Sequence, residues 1–162
     1  MILKSYEIQK SKLNLLKYNF FLLYGENFGL KKDVKEFIKN NIKQKNHEVE
    51  IVSLYENEII ENEENFYNFI YSGSLFSSHK IITIHEATDK ILRRIEDIYK
   101  QYPENVFIII FSGILEKKSK LRKFFETSEK SICVPCYLDN ERDLETIAQL
   151  EFKKNNLKIS RD

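Results

Sequence analysis

Short apolar runs alternate with amphipathic stretches from one end of the chain to the other, and no internal repeat or low-complexity linker interrupts them. Five runs read as strands, each short and rich in β-branched or aromatic residues: "NFFLLY" (19–24), "EVEIVSLY" (48–55), "KIITIH" (80–85), "VFIIIF" (106–111) and "SICVPCY" (131–137). Between them apolar residues recur at helical spacing. Leu30, Val34, Phe37, Ile38 and Ile42 mark one stripe, Ile91, Leu92, Ile95, Ile98 and Tyr99 a second, and Leu121, Phe124 and Phe125 a third. Strands that are apolar at successive positions need cover on both faces. The pattern therefore predicts an α/β fold, a five-stranded parallel sheet with helices on both faces and right-handed crossovers. Ligands of such sheets sit at the carboxyl ends of the strands.

After Tyr137 the texture changes. "LDNERDLETIAQLEFKKNNLKIS" reads as a helix capped at Asp139 or Asn140, with Leu144, Ile147 and Ala148 inward, followed by an amphipathic tail. The expected division is a main domain over 1–138 and the incomplete start of a second over 139–162. Composition narrows the function classes. Lys+Arg 26 against Asp+Glu 25 gives a net charge of +1, so any basic site must be local. The longest apolar run, "VFIIIFSGIL", is about half of a bilayer span. With two cysteines and no charged-then-apolar leader, the expectation is a soluble cytoplasmic protein with no membrane partner.

"FFLLYGENFGLKK" (20–32) breaks from a strand at a glycine into a lysine-bearing helix, as a phosphate loop does. That loop needs G-x-x-x-x-G-K-[ST], with glycines to wrap phosphates, a lysine for their outer oxygens and a hydroxyl for magnesium. Counted from Gly25, Leu30 stands at the second glycine, Lys31 at the lysine and Lys32 at the hydroxyl; using Gly29 instead only moves the errors. A leucine would occupy the space of the phosphates, and a lysine cannot ligate Mg²⁺. The matching acidic pair is absent too. "IITIHEA" carries His85 and Glu86 where a nucleotidase strand ends in Asp-Glu, and imidazole is a poor ligand for magnesium. Both magnesium-handling positions are therefore degenerate. Lys31 reads as an exposed helix lysine and His85 as a strand-end residue without catalytic duty.

This combination resembles the delta subunit family of bacterial DNA polymerase III. "FFLLYGENFGLKKDV" resembles the family's opening strand and degenerate loop, and "SLFSSHKIITIHEA" its "LF", basic residue and third strand. "ILEKKSKLRKFFE" resembles its lysine-rich segment, and "VPCYLDNERDLETIAQLEFKKNNLKI" the entry into its lid domain. The resemblance implies an AAA+ ATPase-like domain over 1–138, with a lid beginning in 139–162. It further implies a clamp-loader subunit that does not hydrolyse ATP, needs no cofactor or metal, and assembles with gamma/tau and delta prime subunits. Such a subunit binds the sliding clamp (beta subunit) by a hydrophobic wedge and opens it for primed DNA. Carried over by position, the wedge is Leu75 and Phe76 beside Ser74, on a polar, bendable loop of serines and glycine. The family's full length is about twice this chain and includes a helical collar through which its subunits assemble, so the isolated chain is expected to be a monomer.

Three other features carry weaker expectations. Lys117, Lys118, Lys120, Arg122 and Lys123 cluster near a helix start, either a solvated face or a contact with DNA phosphates. Cys133 and Cys136 form a C-x-x-C on a strand, read as core or edge positions. "YENEIIENEENF" reads as a solvated loop and helix start. The competing functions are a P-loop kinase or ATPase with an atypical loop, and a thiol oxidoreductase with a depressed thiol pKa.

Overall fold

The structure, a computed structural model, describes residues 1–3, 8, 14–45, 48–73, 77–138, 145, 148–149, 152–153 and 155. Five parallel strands, β1 (Phe20–Tyr24), β2 (Val49–Tyr55), β3 (His79–Ala87), β4 (Val106–Ser112) and β5 (Ser131–Pro135), pair in the order β2-β3-β4-β1-β5. The helices between them are α1 (Phe28–Lys45), α2 (Glu56–Glu61), α3 (Glu63–Tyr71), α4 (Leu92–Lys100) and α5 (Lys120–Thr127). The expected α/β architecture is present. The expected lid start at 139–162 falls almost wholly outside the described residues.

Successive strand residues point to opposite faces, and each face feeds its own core. Phe20, Leu22 and Tyr24 of β1 join Ile82, Ile84, Ile108 and Ile110 under α2, α3, α4 and α5. Phe21 and Leu23 join Ile81, Phe107, Ile109 and Ile132 under Val34, Ile38 and Ile42 of α1. All five residues of β1 are at most 1% exposed, so no polar residue could be placed on it without losing burial on one side or the other. The edges differ. The β5 edge is covered, because Met1 and Leu3 bond to both backbone groups of Cys133 at 2.8 and 3.0 Å. β2, at the other edge, alternates between half-buried and exposed positions.

The acidic segment gives the expected helix start, but not the expected loop. It forms two helices, α2 and α3, the second capped by Asn62, whose side-chain oxygen accepts from Asn65 N–H at 3.0 Å. Glu56 is buried, its carboxylate accepting from the Thr88 amide at 2.6 Å and the Thr88 hydroxyl at 2.8 Å. This bond ties α2 to the end of β3. Ile59, Phe66 and Ile70 then cover the sheet. Among the described residues, no helix is long and apolar enough to cross a membrane.

Candidate functional site

At the carboxyl end of β1 the chain turns at Gly25, with φ +126°. A Cβ there would lie 2.1 Å from the carbonyl oxygen of Cys136, so the turn accepts only glycine. The Gly25 amide donates to Gly113 O at 2.9 Å, and the Asn27 amide to Cys136 O at 3.0 Å. The side-chain oxygen of Asn27 accepts from Leu30 N–H at 3.0 Å, capping α1, with Gly29 in its first turn. Leu30 packs against the core under α1, and Lys32 is exposed.

Lys31 is not the exposed lysine its helical position predicts. It is 7% exposed, and its ammonium donates to Gly25 O at 2.8 Å and to Ser112 O at 3.0 Å. Burial pushes its pKa down, with Cys136 opposing. A phosphate-loop lysine reaches outward to its ligand; this one closes the loop onto its own backbone. The charge is satisfied without a ligand.

His85 is not at a strand end either. The β3–β4 ladder slips between Ile84 and Ala87 and resumes with Ala87 opposite Ser112, so His85 and Glu86 lie in a bulge. Glu86 is exposed and takes φ 56°, the left-handed region where a residue with a Cβ is strained. The His85 ring stacks on Phe111 at 5.1 Å and 13°, and meets Tyr55 at 5.3 Å. Burial, then the nearby Lys35, lowers its pKa against the pull of Glu86, leaving it neutral at pH 7. The two positions that would handle magnesium are thus an imidazole in an aromatic stack and an exposed bulge carboxylate.

The basic cluster divides. Lys117, Lys118, Lys120 and Lys123 are exposed, with Lys118 paired to Glu116 at 2.9 Å. Arg122 is internal, contrary to its expected place among them. Its Nε donates to Glu126 at 2.7 Å, its Nη1 to Leu115 O at 3.0 Å, and the guanidinium lies 5.0 Å over the Tyr24 ring. The amino terminus of α5, expected to favour phosphate, already holds an anion. The Asp89 carboxylate accepts from Ser119 Oγ at 2.6 Å, Leu121 N–H at 3.0 Å and Lys120 N–H at 3.1 Å. Burial would raise its pKa, but these bonds outweigh it and hold the carboxyl below the usual range.

Cys133 and Cys136 are free and fully buried, in the cores on opposite faces of the sheet. Burial pushes both thiols up to about 12, the reverse of a reactive pair. Among the described residues, no group of three His, Cys, Asp or Glu is placed to hold a metal. Ser74, Leu75 and Phe76 lie outside the described residues; Ser72 after α3 and Ser78 before β3 stand on either side of them. Sequence reasoning missed the contacts of Glu56, Asp89 and Lys80, the last a lysine 4% exposed just before the apolar run of β3. Its position at the head of that run was the available signal.

The family model described as "DNA polymerase III, delta subunit" matches residues 21–137, which take in all five strands but for Phe20, the first residue of β1. The chain belongs to the DNA polymerase III delta subunit family. A delta-family relative, the probable DNA polymerase III subunit delta of Rickettsia prowazekii (strain Madrid E), is 32% identical over 149 residues, covering 90% of this chain and 43% of that protein. The DNA clamp loader delta protein of Bacillus subtilis superposes with TM-score 0.56 at 11% identity, covering 93% of this chain and 48% of the other. Domain III of the Thermotoga maritima replication initiation protein DnaA superposes with TM-score 0.52 at 14% identity, covering 97% and 69%. These two likenesses establish the AAA+-like fold of the delta-family chain. The chain spans less than half of the length of the Rickettsia and Bacillus delta proteins.

Proposed function

We propose that this chain is the clamp-binding part of a clamp loader, a cytoplasmic delta subunit that binds a sliding clamp, opens it, and does not itself hydrolyse ATP. The observation that carries the second half of this reading is Lys31. Its ammonium rests on Gly25 O and Ser112 O, and Asn27 caps the helix that would otherwise face a phosphate. A phosphate at this turn would have to displace both. What remains for the domain is binding to partners.

The sliding clamp would be held through Leu75 and Phe76, with Ser74 beside them, as apolar anchors in a pocket of the clamp. Such anchors are typically worth about 2 to 4 kcal/mol each on truncation. The gamma/tau and delta prime subunits would assemble with the longer protein. Primed DNA would meet Lys117, Lys118, Lys120 and Lys123 at most weakly, since Asp89 occupies the adjoining helix terminus.

Binding of the purified chain to a bacterial sliding clamp tests the reading, beside a Leu75→Ala, Phe76→Ala double variant that keeps its fold. The expected loss is a hundredfold or more, on the order of 3 kcal/mol. Equal binding by both would overturn the assignment. The alternative, a nucleotide-binding P-loop protein with an atypical loop, predicts about 2.7 kcal/mol of added stability from ATP and Mg²⁺ at a hundred times their dissociation constant. No such shift is expected here.

A further inference from the structure

At β5 the edge of the sheet is covered by Met1 and Leu3, whereas β2 pairs with β3 alone and, among the described residues, no strand pairs with its outer side. An uncovered edge presents a row of backbone donors and acceptors, and proteins blunt such edges with proline, lysine, a bulge or a very short strand. β2 has seven residues, an unbroken register against β3 from Val49 to Tyr55, and neither proline nor lysine. What deters pairing is acid at its amino end, Glu48 and Glu50. From Ile51 to Leu54 the edge is undefended.

The side chains on this edge indicate what fits beside it. Ile51 is level with Ile81 and Tyr55 with His85, on the α1 face of the sheet, and the two are 40% and 46% exposed. Rings step across that face from strand to strand. Phe111 of β4 stacks on His85 of β3 at 5.1 Å, and His85 meets Tyr55 of β2 at 5.3 Å. Neighbouring strands lie about 4.8 Å apart, so the column holds one ring per strand and Tyr55 is its open end. A further strand beside β2 would bring its own side chain onto the outer side of Tyr55.

Charge narrows the choice of strand. From Glu48 to Glu58 the chain carries four glutamates and no lysine or arginine. Glu56 is taken up by Thr88, and Glu58 accepts from the Tyr55 amide at 2.7 Å. Glu50 has Lys80 at 3.7 Å, beyond hydrogen-bond distance, because that ammonium donates to Phe69 O at 2.7 Å and Ser72 O at 3.0 Å. A second copy of β2 would bring more glutamates and no cation to the seam, and like charges across strands destabilise a pair. A basic strand would complement it.

We infer that the β2 edge is a docking site for an extended segment of a partner protein that is both apolar and basic, added antiparallel as a sixth strand. Its apolar or aromatic residues lie against Ile51 and Tyr55, and its lysines or arginines lie opposite Glu48 and Glu50. In this mode main-chain hydrogen bonds supply affinity and alternate side chains supply specificity. Antiparallel order puts the partner's ring first in its sequence and its cations last. The site is separate from Leu75 and Phe76 and does not depend on the clamp reading.

The probe is a short acetylated and amidated peptide that begins with phenylalanine, continues with valine and isoleucine, and carries lysines at the positions opposite Glu50 and Glu48. Fluorescence anisotropy measures its affinity for the purified chain, and amide hydrogen exchange locates it. Binding is expected, with slower exchange in β2. Tyr55→Ser and Ile51→Lys, both at exposed positions and checked for folding by circular dichroism, should each weaken it about fivefold or more. Glutamate in place of the probe's lysines should weaken it as much, and a central proline should abolish it. The inference is overturned by absence of binding, by equal affinity of both folded variants or of either altered peptide, or by protection confined to regions other than β2. Sedimentation decides on the competing occupant. Self-association of the chain that Ile51→Lys abolishes would give the edge to a second copy and overturn the inference as well.

Discussion

Lys31 and Lys80 are both buried and both donate to backbone carbonyls, yet they sit at opposite ends of the sheet and do different things. Lys31, at the carboxyl ends of β1 and β4, joins Gly25 O to Ser112 O and so closes the place where ligands of parallel sheets bind. Lys80, near the amino end of β3, fastens the carboxyl end of α3. A buried ammonium always needs carbonyls or carboxylates around it. Whether it shuts a turn or ties two elements together depends on which carbonyls surround it. The carbonyls around Lys31 lie at the ends of β1 and β4; those around Lys80 lie at the end of α3.

The largest effect that would break this comparison is at the closed end. Gly25→Ala combines a positive φ with a Cβ 2.1 Å from Cys136 O, and is expected to cost about 3 kcal/mol or more, read by urea denaturation. A fully stable variant would mean that the turn is looser than drawn. Alkaline pH acts next. Cys133 and Cys136 titrate near 9.0 when unfolded and at about 12 when folded, so the folded state keeps protons that the unfolded chain releases. Their stabilisation is complete below pH 9 and is lost as pH rises toward 12, about 1.4 kcal/mol per thiol by pH 10. Lys31, with its pKa lowered, works in the opposite sense as pH rises toward its unfolded value of 10.5. Denaturation at pH 7 and 10 should show a net fall, flattened in a Cys133→Ala, Cys136→Ala variant.

The smallest effect sharpens the comparison most. Lys31→Met leaves Gly25 O and Ser112 O without that donor and should cost about 1 to 3 kcal/mol of stability, measured by the same denaturation. Its clamp affinity should stay that of the parent. A loss of affinity would bring the closed end of the sheet into the clamp-binding surface.

The sheet was legible because burial on both faces leaves uninterrupted apolar runs, as in β1 and β4. Its boundaries were less so. β3 runs on past His85 only because a bulge at Glu86 lets Ala87 rejoin Ser112, and nothing in "IHEA" encodes the partner strand. The degenerate phosphate loop could be read from four positions counted along the chain. That Lys31 fills it could not, since Ser112 O is contributed from a strand 81 residues away. The same limit explains Glu56, whose burial depends on Thr88, and Arg122, which left the lysine cluster for Tyr24 and Glu126. Helix stripes report which face is apolar; they do not report which polar side chain a distant carbonyl or carboxylate will draw inward.

The place of β1 between β4 and β5 also sets a timetable for synthesis. Phe20 pairs with Ile108 on one side and Ser131 on the other, so the most deeply buried strand is among the earliest made and has its first neighbour only about ninety residues later. At roughly 5 to 20 residues per second, the "FFLLY" strand spends about 4 to 18 s on the ribosome without either flanking strand. The edge pair β2 and β3, close together in the chain, has the means to form first. The nascent protein thus assembles from its rim inward, and the interval before β4 arrives is when a chaperone would find its most apolar segment uncovered.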